Sequence, residues 1–349
     1  MEMFKRFKYM ILMSVFVLAL AACGNSEESS EETTEETESG TEETTEESPD
    51  EANSGTIEIE DAHGTVEVPV NPETVVALDN RTFETLGDFG VELVAAPKDV
   101  MPADLGYYVD DEAVENIGNH REPNLEVIAA ANPDLVIVGQ RFASYYEDIK
   151  ELVPEATVID LNVDVSEETE TPGENLVNGL KENTTILGQI FDKEAEAEEI
   201  NANFDQSIEE VKNSYDGEST VMSLIVSGGE TGFSAPHFGR VFGPMYEIFD
   251  WVPSLEVDSS STDHQGDDVS VEAIADSNPD WLMVLDRDAA VESEDSQPAA
   301  DVIENSAALQ NTTAVSEGNI VYAPADTYTN ESIQTYTELF TDMAEAFNQ

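Results

Sequence analysis

The sequence predicts an α/β protein of two Rossmann-like lobes joined by a long α-helical linker. Three observations carry this reading: apolar strand-like runs alternate with helical patterns, one segment occurs twice, and a long stretch of helical period separates the copies. The runs at 75–78, 135–138, 158–159, 221–226, 282–285 and 320–322 read as buried strands of largely parallel sheets. The duplicated segment spans 125–141 (LEVIAAANPDLVIVGQR) and 271–287 (VEAIADSNPDWLMVLDR), aligned without a gap. In each copy a capping-type residue, Asn124 or Ser270, precedes a short helix. Asn-Pro-Asp then stops the helix, a buried strand follows, and an arginine, Arg141 or Arg287, sits just past it. Between the copies, Leu176, Leu180, Leu187, Ile190, Phe204, Ile208 and Val211 keep a helical period from about 174 to 215, broken near Phe191-Asp192. This divides the chain into a first lobe at 56–172, connecting helices at 173–215 and a second lobe at 216–349. A helical connection is stiffer than paired strands, so modest opening and closing is expected.

The N-terminus reads as a targeting segment. Lys5, Arg6 and Lys8 precede an apolar run too short to span a bilayer comfortably, and small residues follow before Cys23. Leu20-Ala21-Ala22-Cys23-Gly24 resembles the bacterial lipobox, which implies a signal peptide at 1–22 and diacylglycerol on Cys23. Cys23 is the only cysteine, so no disulfide forms within one chain and a thiolate cluster is excluded. Residues 23–55 then form a disordered tether of Glu, Ser and Thr, with little to bury and charges that repel. The expected location is the outer face of the cytoplasmic membrane, held by the lipid alone.

The formal net charge is −64, from 13 Lys and Arg against 77 Asp and Glu. Such a polyanion does not bind nucleic acid through counterion release, so that partner is set aside. The composition suits a halophile's solvated surface, because at about 1 M salt the Debye length is only ~3 Å. On this surface each arginine is informative. Beyond the targeting segment only Arg81, Arg121, Arg141, Arg240 and Arg287 remain. Ligands of open α/β sheets bind beyond the carboxyl ends of the strands. Facing lobes would therefore bring Arg141 and Arg287 into one cleft from opposite sides.

The stretch at 71–79 (NPETVVALD), the paired Asn-Pro-Asp repeats and 187–191 (LGQIF) resemble the class III, helical-backbone substrate-binding proteins of siderophore, haem and cobalamin importers. Residues 118–134, 263–266 (DHQG) and 284–291 (VLDRDAAV) are similar to the catecholate branch, which includes petrobactin-binding lipoproteins. The resemblance implies that Arg141, Arg240 and Arg287 converge on an anionic ferric complex. Around Arg240, His237 and Phe238 replace a more flexible Gly/Ser stretch. It further implies that His264, partnered by Tyr328, completes the iron shell when a siderophore leaves positions open; the alternative for His264 is a solvated loop histidine. Glu126 and Glu272, equivalent in the repeat, would dock one per lobe onto arginines of an ABC permease served by its ATPase. The binding protein itself would be a monomer without an intrinsic cofactor. Arginine suits such a ligand physically: its planar fork donates several charge-assisted hydrogen bonds and stays charged when dehydrated. Arg81 and Arg121 lie on loops that could reach the cleft, but the favoured readings are a helix-start residue and a loop salt bridge. Tyr107, Tyr108, Phe142 and Tyr145 read as core rather than pocket.

Rival readings are weaker. A bare-metal site would need converging ligands, whereas His63, His120, His237 and His264 are scattered. Haem could use His264 with a methionine such as Met101, and is the alternative kept; cobalamin has no signature. An enzyme is disfavoured, since the chain has no Gly-x-Ser-x-Gly elbow, His-Glu-x-x-His motif or phosphate loop.

Overall fold

The computed structural model describes residues 55–349 apart from 167, 258–263 and 292–296. The expected signal peptide, Cys23 and the tether up to 54 lie outside the described residues, as does Asp263.

An antiparallel hairpin, β1 (Thr56–Asp61) and β2 (Gly64–Pro69), opens the fold. Five parallel strands follow: β3 (Val75–Ala77), β4 (Leu93–Ala96), β5 (Glu115–Asn116), β6 (Leu135–Val138) and β7 (Thr157–Asp160), in the sheet order β5-β4-β3-β6-β7. The second half contains β8 (Thr220–Ser227), β9 (Glu230–Phe233), β10 (Val252–Pro253), β11 (Trp281–Asp286) and β12 (Ile320–Tyr322). Its order is β10-β8-β11-β12, all parallel, with β9 running antiparallel beside β8. The central strands β6 and β11 are buried continuously over Leu135–Val138 and Leu282–Leu285, as sheets covered on both faces require.

The sequence repeat is a structural repeat. Helices Leu125–Ala131 and Val271–Ser277 each end on an asparagine in the left-handed region, Asn132 at φ 47° and Asn278 at φ 46°. The aspartate that follows fastens the start of the neighbouring strand. Asp134 Oδ2 accepts from the Thr74 amide (2.9 Å) and hydroxyl (2.8 Å). Asp280 Oδ2 accepts from the Thr220 amide and hydroxyl, both at 2.8 Å. Val75 then pairs with Leu135, and Val221 with Trp281. The expected caps diverge, however. Ser270 accepts from the Ala273 amide, whereas the Asn124 side chain makes no cap bond; the Asn124 amide donates to the Ile117 carbonyl instead.

Helices Pro172–Ile190 and Glu194–Ser214 connect the halves, and the break between them falls at Asp192, whose φ is 55°. Each helix belongs to both cores. Leu176 and Leu180 pack with Phe242 and Met245 of the second half, while Ile186, Leu187 and Ile190 pack with Val75 and Phe83 of the first. In the returning helix Ala197 lies in the first core, and Phe204, Ile208 and Val211 lie in the second. The closing helix, Ile333–Phe347, buries Tyr336, Leu339, Phe340 and Met343 against the second core.

The paired aspartates give a stability test. Hydrogen bonds to a charged acceptor contribute about 1.5–3 kcal/mol net. Asp280→Ala is expected to lower the unfolding free energy by about 2 kcal/mol, and Asp134→Ala by less, because its bonds are exposed while those of Asp280 are partly buried. Urea titration in molar salt, followed by circular dichroism, measures both.

Candidate functional site

The loops beyond the carboxyl ends of the two sheets face one another across a cavity of about 720 Å³. Arg141, Arg240, Arg287, His264 and Tyr328 all line it. The first half supplies Arg141 from a 3-10 turn, Gln140–Tyr145, immediately after β6. Gly139 leads into that turn because the backbone passes against Asp79: a Cβ there would sit 2.7 Å from the Asp79 carboxyl carbon.

Arg287 opens a short helix, Arg287–Ala290, at the end of β11. The aspartates flanking it both have structural tasks. Asp286 caps that helix through the Ala289 amide (2.9 Å), and buried Asp288 accepts from the amides of Gly228 and Gly229 in the β8–β9 turn (2.9 and 3.1 Å). Arg287 itself donates from Nη1 to Ser227 Oγ at 3.2 Å.

Arg240 sits on a tightly wound loop. The Gly239 amide donates to the Ala235 carbonyl, the Gly243 amide to the Gly239 carbonyl and the His237 amide to the Gly243 carbonyl. A Cβ at Gly239 would lie 2.4 Å from the Ala235 oxygen, so only glycine fits. This winding accommodates the bulky His237 and Phe238.

Tyr328, in the short helix Thr327–Asn330, is the meeting point. The guanidinium carbons of Arg240, Arg287 and Arg141 lie 4.4, 5.2 and 5.6 Å from its ring centre, within cation–π range. Its carbonyl oxygen accepts from Nη2 of both Arg141 (2.8 Å) and Arg240 (3.2 Å). The tyrosine is 7 % exposed and forms part of the cavity wall.

Beneath it lies Glu331, only 3 % exposed, which pairs with Arg81 at 3.1 Å and with Arg240. Burial alone would raise the Glu331 pKa, but the charges of Arg240, Arg81 and Arg141 more than offset this and hold it below the usual carboxylate range. Burial alone would lower Arg81, but the charge and hydrogen bond of Glu331 together with the charges of Tyr336 and Asp79 more than offset this and push it above its ordinary value. Arg141 goes the other way: burial and the like charge of Arg240 lower it. It remains a cation at any working pH.

The remaining candidates divide. Arg121, read from sequence as a loop salt bridge, lines the cavity, and no ion pair of it is among those of the described residues. Arg81 precedes helix Phe83–Asp88, as expected of a helix-start residue, but is buried in the pair with Glu331 rather than paired with solvent. Tyr108 and Phe142 are core, Tyr107 is half exposed, and none of Tyr107, Tyr108, Phe142 and Tyr145 lines the cavity. Tyr145 does support it, donating to the His120 carbonyl at 2.9 Å. Glu126 and Glu272 are exposed in the first turns of their helices, one in each half.

Three wall or floor residues escaped the sequence reading. Lys98 donates to the Asp111 carbonyl at 2.6 Å while lining the cavity. His120 lines it too, and burial together with the charges of Arg141, Arg121 and Arg240 lowers its pKa, favouring a neutral imidazole. Glu331 is the third. Scarcity alone does not single out Lys98, because Lys150, Lys181, Lys193 and Lys212 are as rare and do not line the cavity. Of the 13 lysines and arginines, Lys5, Arg6 and Lys8 lie in the first eight residues, and five of the other ten line this one cavity. Field lines of one sign converge there within an otherwise acidic molecule.

Two α/β halves, tied by helices and facing across a cationic cleft, define a solute-binding fold. Residues 75–327 match the Peripla_BP_2 family, described as Periplasmic binding protein, and the chain belongs to that family. The petrobactin-binding protein YclQ of Bacillus subtilis is 28% identical over 327 residues, covering 93% of this chain and 92% of its own. The ferric-anguibactin-binding protein FatB of Vibrio anguillarum is 27% identical over 297 residues, covering 83% and 87%. Among solved structures, a TroA-like periplasmic binding protein from Xylanimonas cellulosilytica is 30% identical with a TM-score of 0.69, covering 82% of this chain and 92% of that one.

Asp79 offers a pH test. Burial, partly offset by Arg81, pushes its carboxyl up to about 7. A carboxyl raised in the fold binds its proton more tightly there than in the unfolded chain. Its contribution is therefore full below the unfolded value and is lost as pH rises through about 7. The wild type is expected to lose stability between pH 4 and 7 relative to Asp79→Asn, with an upper bound of about 4 kcal/mol. Denaturation curves of both proteins across that range check the sign.

Proposed function

We propose that this chain captures an anionic ferric siderophore of the catecholate type in its inter-lobe cleft and delivers it to the permease of an ABC importer. The observation that carries this is the gathering of five scarce cations in one cavity, three of their guanidiniums around a single tyrosine. A ferric tris-catecholate is a net anion with oxygens at its rim, and guanidinium forks match it in charge and geometry. The relatives named for petrobactin and ferric anguibactin support a ferric-chelate cargo.

In this reading Arg141, Arg240 and Arg287 bind the complex. His264 and Tyr328 stand ready to fill open iron positions when the chelator does not. The lobes are 56–172 and 216–349, with 173–215 as the connecting helices. The role is binding rather than catalysis, by a monomer without an intrinsic cofactor. Glu126 and Glu272 present one carboxylate per lobe to the permease, which works with its ATPase. The protein acts on the outer face of the cytoplasmic membrane, tethered through lipid on Cys23. Two acyl chains would make that attachment stable where one would not.

Calorimetric titration of the purified protein in high salt tests the cargo, with ferric petrobactin, a synthetic ferric tris-catecholate, ferric citrate and haem as ligands. Calorimetry is preferred to tryptophan quenching, because neither Trp251 nor Trp281 lines the cavity. Tight binding of a catecholate complex is expected, weakened at least a hundredfold in Arg141→Ala/Arg287→Ala. Binding of haem alone, with a Soret band, would transfer the assignment to haem. Charge reversal of Glu126 and Glu272 to lysine is expected to abolish iron uptake by cells while leaving affinity unchanged. Loss of affinity in that variant would overturn the docking role.

A further inference from the structure

The Arg240 side chain lines two cavities. One is the cleft; the other, of about 370 Å³, is lined by Glu331 itself together with Phe238, Val241 and Gln140. The bonds that wind the loop bearing Arg240 engage its backbone and not its guanidinium. Electrostatics within the cleft oppose the position it holds, since Arg141 and Arg240 share one acceptor, the Tyr328 carbonyl, as like charges. The compensating charge is Glu331, held from the other side by Arg81 of the first half.

The backbone points the same way. Glu331 has φ 51°, in the left-handed region that glycine or asparagine adopts at least cost. A glutamate there follows from a need for its side chain. Its neighbours are clamped as well: Asn80 Nδ2 donates to the Thr329 carbonyl (2.6 Å), while Asn330 Nδ2 and Ser332 Oγ donate to Glu84 Oε2 (2.9 and 2.6 Å). The carboxylate is therefore delivered to a fixed point from both halves.

We propose that Glu331 is a positioning residue for ligand capture: it aims Arg240 into the cleft and allows Arg240 and Arg141 to stand together there before any anion arrives. This rests on the reading of the cleft as an anion site. When the ligand binds, its charge joins a cluster already assembled, so little reorganisation is needed.

The test is a double-mutant cycle read by calorimetry with a synthetic hexadentate ferric tris-catecholate. Glu331→Gln is expected to lower affinity at least tenfold in the wild-type background and less than twofold in an Arg240→Ala background. An equal loss in both backgrounds would mean a general structural role and would overturn the proposal. So would unchanged or increased affinity in Glu331→Gln, the result expected if its negative charge merely opposed the ligand. A second readout needs no ligand. In a crystal structure of unliganded Glu331→Gln, Arg240 is expected to leave the Tyr328 carbonyl for the smaller cavity; retention of that hydrogen bond overturns the proposal. Failure of the wild type to bind any ferric chelate would sink the functional reading, while this structural readout would still decide the role of Glu331. Should Glu331→Gln fold poorly, Glu331→Asp keeps the charge but withdraws it by one methylene. It is expected to lose affinity in the same Arg240-dependent way, and full retention would count against the proposal.

Discussion

The cleft depends on one buried carboxylate. Glu331 touches Arg81 from the first half and Arg240 from the second, and Arg240 in turn shares the Tyr328 carbonyl with Arg141. Removing one member of a buried charge pair leaves its partner uncompensated, at a cost of about 3–5 kcal/mol. Here two partners would be stranded. The cationic floor is thus not simply a row of side chains waiting for an anion. It is a neutralised assembly whose spare charge faces the cavity, with Arg287 steadied separately by Ser227.

Around this floor the molecule is strongly acidic. An anion approaching from solution meets repulsion over most of the surface and attraction at the cleft. In dilute salt this contrast would slow encounter and steer it at once; in molar salt the outer repulsion is screened within a few ångströms while contacts at the cleft persist. A cation-lined cavity also disfavours cationic solutes, which would meet like charge from Arg141, Arg240 and Arg287.

Much of this was legible in the sequence because the repeat is exact where geometry demands it. Asn-Pro-Asp encodes a left-handed helix end and a carboxylate that fastens the adjacent strand, and the arginine seven residues past that aspartate falls at the cleft in both copies. Six of the twelve strands, β3, β6, β7, β8, β11 and β12, were readable as apolar runs. Of the others, β5 and β10 are two residues long and lie at sheet edges, β1 and β2 alternate polar with apolar side chains, and β9 is largely polar, whereas β4 is a short buried apolar strand that the sequence reading passed over. Within the site, Arg141 and Arg287 were marked by duplication, whereas Glu331 was one of 77 acidic residues with no local signature. Its importance arises from contacts with Arg81, 250 positions away in the chain, and Arg240, 91 away. Such spacing carries no periodicity. Arg121 was ambiguous for a related reason: a loop arginine among many acids suggests a surface pair, and only the fold brings that loop to the cavity wall.

The two connecting helices have a consequence for how the protein comes apart. Because Pro172–Ile190 and Glu194–Ser214 each contribute side chains to both cores, neither half can lose its packing without stripping an apolar face from the helices that complete the other. A pair of domains joined by a flexible strand could melt in two steps. Here the halves share their packing, so unfolding is expected in one cooperative step, with the slowest-exchanging amides in the connectors as well as in the sheets. Cooperativity of this kind would leave neither half exposed to proteases while the other stays folded.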